Sequence, residues 1–390
     1  SGRGPGPRGD GGRHAPRTNG WQTRLTGASR AVASGAVNEG RTAVVAGVGL
    51  IGGSIGMALR RAGWWVVGID ADSERAERAL GAGAIDEIGV PRPCDLAVVA
   101  TPVSEIAGVA RELLDAGAAI VTDVGSVKAP VAAALDDPRF VPGHPMAGSE
   151  QDGLEGAGPD LFSGATWVLS PTATTDDAAF AEVRRVVASF GAHVIVIPPE
   201  RHDVLVAVVS HVPHLTAATL MRLADGRAVE HRALLRLAAG GFRDMTRIAA
   251  GHPSIWPDIC AENQAAITDV LDELIAELTG LRSVVADRDR EQLLRHLGEA
   301  RVARRNLPTT VPVDAEMAEM RIPVLDRRGE LASITTLAAD LDVNIYDLEI
   351  SHSAEGPRGV VVVLVELGMA ERFQGGLMAQ GYRPSIRALE

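Results

Sequence analysis

Cysteine is scarce: only Cys94 and Cys260 occur in 390 residues, far apart and outside any CxxC. That excludes a disulfide scaffold and a cysteine-built zinc site, and it points to a reducing, cytoplasmic setting. Positive charge is in the minority, with a formal net charge of -12, which disfavours non-specific attraction to nucleic acid or an anionic membrane. Any anionic ligand must then be caught by a few specific arginines. Long hydrophobic runs are missing too. Apolar residues make up 46% of the chain, but charges or glycines interrupt them before the length of a bilayer-spanning helix, so no membrane span is expected. What remains is a chain long enough for two or three domains, each burying its own core.

Residues 1 to 36 carry six arginines against one acidic residue and are crowded with Gly, Pro and Ser. Without a hydrophobic period, residues 1–40 are expected to form a disordered tail. A transit peptide would share the arginine bias but shows an amphipathic pattern, and a secretory signal needs an apolar core. Organised sequence begins directly after Val37, which could mark a start encoded by an alternative initiation codon.

From Thr42 the pattern changes to apolar runs of strand length, each followed by an alanine-rich helical segment. The runs Ala43 to Ala46, Trp65 to Ile69, Leu96 to Ala100, Ala119 to Thr122, Trp167 to Leu169 and His193 to Ile197 predict one mostly parallel sheet with helices on both faces, over residues 41–198. Residues 199–306 lack such runs. Arg201 to Leu223 and Trp256 to Ala286 read as helices apolar on most sides, which suggests burial against a second subunit and hence a homodimer. Residues 307–320, with Pro308 and Pro312, read as a linker. Residues 321–390 follow a βαββαβ plan: strand Arg321 to Leu325, helix Leu331 to Leu341, strands Asn344 to Ser351 and Gly359 to Val365, helix Ala370 to Gln380, strand Arg383 to Ala388.

The first strand runs into Gly47-Val48-Gly49-Leu50-Ile51-Gly52, a G-x-G-x-x-G followed by a helix. Gly47 allows a tight turn, Gly49 lets the backbone approach a pyrophosphate, and Gly52 lets helix pack on strand, leaving N–H groups aimed at anionic oxygens. Asp70 ends the second strand, where a carboxylate meets the adenosine ribose hydroxyls and repels a 2′-phosphate, favouring NAD over NADP. Asp72 and Arg75 stand near enough to reshape that ribose pocket. Leu50, Ile51 and Thr101, which follows the Leu96 to Ala100 strand, are counted with this cofactor site.

Three further segments carry polar groups toward the sheet's carboxyl edge. In Thr122-Asp123-Val124-Gly125-Ser126-Val127-Lys128, Ser126 is either an N-cap or a functional hydroxyl. Lys128 sits oddly in a first helical turn, where a cation opposes the dipole unless an anion lies nearby. Gly143-His144-Pro145-Met146-Ala147-Gly148-Ser149-Glu150 holds a histidine that by itself would pass for a loop residue. In Ser210-His211-Val212-Pro213-His214, Pro213 should kink a helix and expose a carbonyl near Val209. His211 and His214 share a face, yet no carboxylate or cysteine at ligand spacing joins them, so no metal is expected. Arg243, Asp244 and Arg247 lie on a further helix, either as a surface salt bridge or as a carboxylate-binding group.

Taken together, GVGLIGGS, TDVGSVK, GHPMAGSE, SHVPHL and GGFRDMTRIA, in this order over residues 41 to about 306, resemble the prephenate dehydrogenase family. The resemblance implies oxidative decarboxylation of prephenate with NAD. His144 would bond the ring hydroxyl, Ser126 orient the site, His214 lie near the substrate and Arg247 bind a carboxylate. Glu150 and Trp256 are read as pocket residues, although Trp256 is equally compatible with core. Neutral His144 suits the removal of the hydroxyl proton, so activity should fall on acidification through its pKa. Residues 321–390, with Val324-Leu325-Asp326-Arg327-Arg328-Gly329-Glu330, resemble an ACT domain and imply an amino-acid ligand, tyrosine being the economical choice. Arg328-Gly329 stands where ACT sequences often have Pro-Gly. The related reaction on arogenate and a non-catalytic NAD-binding sensor are the alternatives; a base beside the nicotinamide argues against the sensor.

Overall fold

The computed structural model describes residues 40–149, 153–228, 237–306, 316–325, 327–352 and 358–389. The tail, Glu150, Asp326 and most of the 307–320 segment lie outside the described residues. Two compact units are present, one within Ser1–Pro213 and Ala250–Leu271, the other within His214–Ala249 and Asp272–Glu390.

In the first unit the chain runs β1 (Thr42–Ala46), α1 (Leu50–Arg61), β2 (Trp65–Ile69), α2 (Ser73–Gly81), β3 (Glu87–Ile88), β4 (Leu96–Val99), α3 (Val103–Asp115), β5 (Val121–Asp123), α4 (Ala129–Ala134) and β6 (Phe140–Val141). The six strands form a parallel sheet in the order β3-β2-β1-β4-β5-β6. This is the doubly wound Rossmann arrangement, with its switch point between β1 and β4. Period-two alternation fills both faces: Ala43 and Val45 pack with Ile55, Leu59 and Trp167, while Val44 and Ala46 pack with Ile106, Leu113 and Phe140.

The expected single sheet is in fact two. After β6 come β7 (Gly143–Pro145), β8 (Thr166–Leu169), α5 (Asp177–Ser189) and β9 (His193–Val196). These strands make a separate three-stranded sheet in which β7 runs antiparallel to β8 and β8 parallel to β9. Strand-length runs do not specify which sheet they join. Trp167, at 1% exposure, instead packs β8 on the face of the first sheet through Phe162 and Phe190. His144 is therefore a strand residue rather than a loop residue.

The helical segment is more broken than its apolar run suggests: α6 (Pro199–Val206), a π turn Ala207–His211, α7 (Val212–Ala228), α8 (Gly240–Thr246), a 3-10 turn Arg247–Ala250, α9 (Trp256–Glu262), α10 (Gln264–Ala286) and α11 (Arg290–Arg305). Pro213 has no N–H to offer Val209, and the chain answers with the π turn, in which Val212 N–H donates to the Ala207 carbonyl. The expected Trp256 to Ala286 helix is interrupted at Asn263, whose side chain donates to the Asp203 carbonyl at 2.8 Å. Against the expectation of no membrane-length run, Pro199–Arg227 is one stretch of 29 residues long and apolar enough to cross a membrane by length and composition. Its His202, Asp203 and His211 are buried and hydrogen-bonded inside the first unit, as in a helix packed on protein.

In the second unit β10 (Met317–Leu325), α12 (Glu330–Asp340), β11 (Asp347–His352), β12 (Arg358–Glu366), α13 (Leu367–Ala379) and β13 (Ser385–Leu389) realise the βαββαβ plan as an antiparallel sheet ordered β11-β12-β10-β13. The strand begins four residues earlier than expected, inside the span read as linker, because Met317, Ala318 and Met320 are buried in the sheet core. Gly329 turns into α12 at φ +93, a left-handed conformation that glycine adopts without strain.

Candidate active site

The glycine loop leaves β1 at the switch point. Gly47 has φ +89, and a Cβ there would stand 2.4 Å from the Ala100 carbonyl oxygen. At Gly52 a Cβ would stand 1.8 Å from the Gly47 carbonyl oxygen, so these two glycines are required by the fold. Gly49 differs: a Cβ there meets nothing within 4 Å, so open space lies beside it. Leu50 and Ile51 open α1 directly after it. Asp70, with a side chain 3% exposed, accepts Val48 N–H and Asp72 N–H at 2.9 Å and pairs with Arg75 at 3.2 Å. The Thr101 hydroxyl, past the end of β4, is buried without a hydrogen-bond partner. An open cradle, helix-start N–H groups, an unsatisfied hydroxyl and a carboxylate ending β2 fit a dinucleotide.

One strand further along the sheet, Asp123 ends β5 and joins it to β7. Its carboxylate accepts Gly143 N–H at 3.0 Å and Gly125 N–H at 2.9 Å. It also receives the Lys128 ammonium, whose second bond goes to the Gly143 carbonyl at 2.8 Å. The anion that Lys128 required is thus Asp123, and both side chains are at 0% exposure. Lys128 occupies the N-cap position of α4, so Ser126 is not its cap; Ser126 is half-buried in the preceding turn.

His144 is held by a chain of three side chains. Its Nδ1 lies 2.9 Å from His202 Nε2, His202 Nδ1 lies 2.7 Å from Asp203 Oδ1, and Asp203 accepts Lys128 N–H at 2.7 Å and Ala129 N–H at 2.8 Å. A carboxylate can only accept, so His202 Nδ1 carries the proton. For a neutral His202, Nε2 must then accept, and the donor is His144 Nδ1–H. By this logic His144 Nε2 is left with its lone pair, the form that takes a proton. Burial first, then the neighbouring His202, Lys128 and His211, hold its pKa well below the usual histidine value.

His211 follows the π turn at 1% exposure, bonded by Asn263 Nδ2 at 3.2 Å and meeting Trp256 edge-on at 6.2 Å between centroids. Trp256 is half-buried against the core of the α3 face, so it serves packing as well as lining His211. Burial pushes His211 down to about 4 against the pull of Asp203. The unfolded chain therefore binds protons that the folded one refuses, and this stability is present above about pH 6.5 and lost on acidification toward pH 4. For His211 alone the full loss is about 3 kcal/mol. Melting temperature is expected to fall between pH 7.5 and pH 5; a flat or rising curve would contradict these burials.

His202, Asp203, Asp123, Asn263 and the buried role of Lys128 escaped sequence reasoning. The available signal was polar residues interrupting the apolar face of α6. His214 and Arg247 belong to the second unit, His214 with its pKa lowered by burial, and their part in the site rests on their motifs.

The family model described as "Prephenate dehydrogenase, nucleotide-binding domain" matches residues 55–196, and "Prephenate dehydrogenase, dimerization domain" matches 198–299. The chain is 34% identical to a prephenate dehydrogenase of Bacillus subtilis over 82% of its own length and 91% of the relative's. It is 36% identical to a cyclohexadienyl dehydrogenase of Zymomonas mobilis, covering 59% of this chain and 81% of that one. The crystal structure of Aquifex aeolicus prephenate dehydrogenase in complex with hydroxyphenyl propionate and NAD+ is similar with a TM-score of 0.65 and 31% identity, covering 70% of this chain and 100% of that one. A Synechocystis arogenate dehydrogenase structure is similar at 0.60 and 29%, covering 68% and 100%.

Proposed function

The chain belongs to the prephenate dehydrogenase family of NAD-dependent oxidoreductases, and we propose that within it His144 is the proton acceptor and prephenate, rather than arogenate, the preferred substrate. The observation that carries the first part is the His144–His202–Asp203 chain, which leaves His144 Nε2 free to accept. NAD+ supplies the hydride acceptor. The loop from Gly47 through Gly49, Leu50 and Ile51 to Gly52, with Thr101 and Asp70, would hold it.

The residues then do three things. His144 takes the C4 hydroxyl proton at Nε2 as the C4 hydride departs to that acceptor and the ring carboxylate leaves as CO2, and it returns the proton to the same oxygen as the ring becomes a phenol. His202 and Asp203 hold the imidazole in that tautomer and orientation. Arg247, with His214, binds a substrate carboxylate; Ser126 orients the site, and Trp256 lines the pocket. Arg247→Ala should raise KM for the substrate at least tenfold, matching a charged hydrogen bond of about 1.5 to 3 kcal/mol, and lower kcat far less. The reverse pattern in steady-state kinetics would remove Arg247 from the binding role.

The preference for prephenate rests on the prephenate dehydrogenases among the named relatives, beside which stand a cyclohexadienyl and an arogenate dehydrogenase; the arogenate amine would call for a carboxylate partner, which Glu150 or Asp244 could supply. Incubating the protein with each substrate and with NAD+ or NADP+, and following reduced cofactor, tests both choices. Faster turnover of arogenate would reverse the preference. Exposed Val204, Leu205, Val208 and Val209 on α6 and the π turn support a homodimer through the helical segment. Two free cysteines suit a reducing cytoplasm. The 321–390 module supports an ACT-like role, with the Gly329 turn as the place for the carboxylate of an amino acid such as tyrosine. A cut after Met320 would split β10, so the test is tyrosine inhibition of a chain ending at Asn306; inhibition equal to that of the full chain would place tyrosine elsewhere.

A further inference from the structure

Of the 38 lysine and arginine residues in this chain, Lys128 is the lone lysine. Every other basic side chain of that kind is arginine, yet the one position that keeps lysine is at 0% exposure. Arginine cannot replace it on physical grounds: a planar five-donor fork is bulkier and its remaining donors would be left without partners, whereas an ammonium is compact. The two bonds that Lys128 Nζ makes, to the Asp123 carboxylate and the Gly143 carbonyl, come from the end of β5 and from the residue preceding His144. Its backbone N–H goes to Asp203, the far end of the chain that orients the His144 ring. One residue thus grips the strand carrying His144 and anchors the side chains that aim it.

We propose that Lys128 is a positioning residue of the reaction, which fixes the placement of His144 and holds a cation beside its strand without touching the reacting atoms. The proposal rests on the reading of His144 as proton acceptor. An ion pair of this kind seldom adds stability, because removing two charges from water costs several kcal/mol per ion. A role in the site accounts for it better. Among the described residues of this unit, the titratable groups facing His144 are His202 on α6 with Asp203 behind it, His211 after the π turn, and Lys128 with its partner Asp123. Of these, Lys128 contributes a positive charge that opposes an imidazolium at His144, alongside the buried setting itself.

The test is the pH dependence of kcat/KM for prephenate with saturating NAD+. Lys128→Met keeps the length of the side chain and removes the charge. Because it leaves Asp123 buried without its cation, Lys128→Gln is made beside it, whose uncharged amide can still donate to the Asp123 carboxylate. In either folded variant the acid limb is expected to move to higher pH, and kcat to fall about tenfold or more, as expected when a catalytic group is misplaced. KM for NAD+ should change less than about threefold, since the glycine loop is untouched. A folded variant whose acid limb stays where the wild type has it overturns the proposal, even if kcat drops, because a purely structural residue would lower activity without moving that limb. A wild-type profile with no acid limb would instead reject His144 as the acceptor, so the two failures are distinguishable.

Discussion

Replacing His144 with asparagine is expected to reduce kcat by about 10²- to 10⁴-fold, the usual contribution of a positioned general base. Asparagine retains an N–H that can reach His202, so the side-chain chain from Asp203 is capped and the fold kept. What it lacks is a nitrogen lone pair basic enough to hold the hydroxyl proton. KM should change little, because the residue proposed to bind the substrate carboxylate is Arg247 rather than His144. The wild-type enzyme carries the complementary signature. Since burial and the neighbouring His202, Lys128 and His211 hold the His144 pKa well below the ordinary value, the acid limb of kcat/KM should lie below pH 6.5 rather than at it. Asparagine at 144 with near wild-type turnover, or a limb at or above pH 6.5, would defeat the assignment.

The glycine loop offers an equally large effect with a cleaner separation of fold from function. Gly49→Val is expected to weaken NAD+ about a hundredfold, equivalent to about 2.7 kcal/mol, while the melting temperature moves by only about 2 °C. The reason is geometric: nothing in the protein lies within 4 Å of a Cβ built at Gly49. The valine side chain would fill only the space that a pyrophosphate needs. Gly52→Ala serves as the contrast, since its Cβ would sit 1.8 Å from the Gly47 carbonyl oxygen and must disturb the packing of α1 on β1. Titration calorimetry and thermal melts on both variants separate the two. Unimpaired NAD+ binding by a folded Gly49→Val protein would mean that the cofactor does not cross this loop.

The switch from period-two apolar runs to long apolar helices and back to βαββαβ was legible in the sequence, as were the glycine loop, Asp70 and His144. These features are local: the turn chemistry of Gly47, the alternation along β1 and the motif around His144 all lie within a few neighbouring residues. The π turn could be anticipated only as a kink at Pro213, because periodicity marks a lost hydrogen bond without saying how the backbone compensates.

What the sequence determined, then, was the fold class and the nicotinamide cofactor, while the resemblance of its motifs singled out His144 as the candidate proton acceptor. Tertiary structure alone decided that β7 to β9 form their own sheet, that Lys128 is buried against Asp123, and that His202 and Asp203 stand behind His144. The physical reason is separation along the chain. The His144–His202 bond joins residues 58 apart and the Lys128–Asp203 bond residues 75 apart. Such partners meet only when a packed core brings them together, and no local pattern records which buried polar group will satisfy which other.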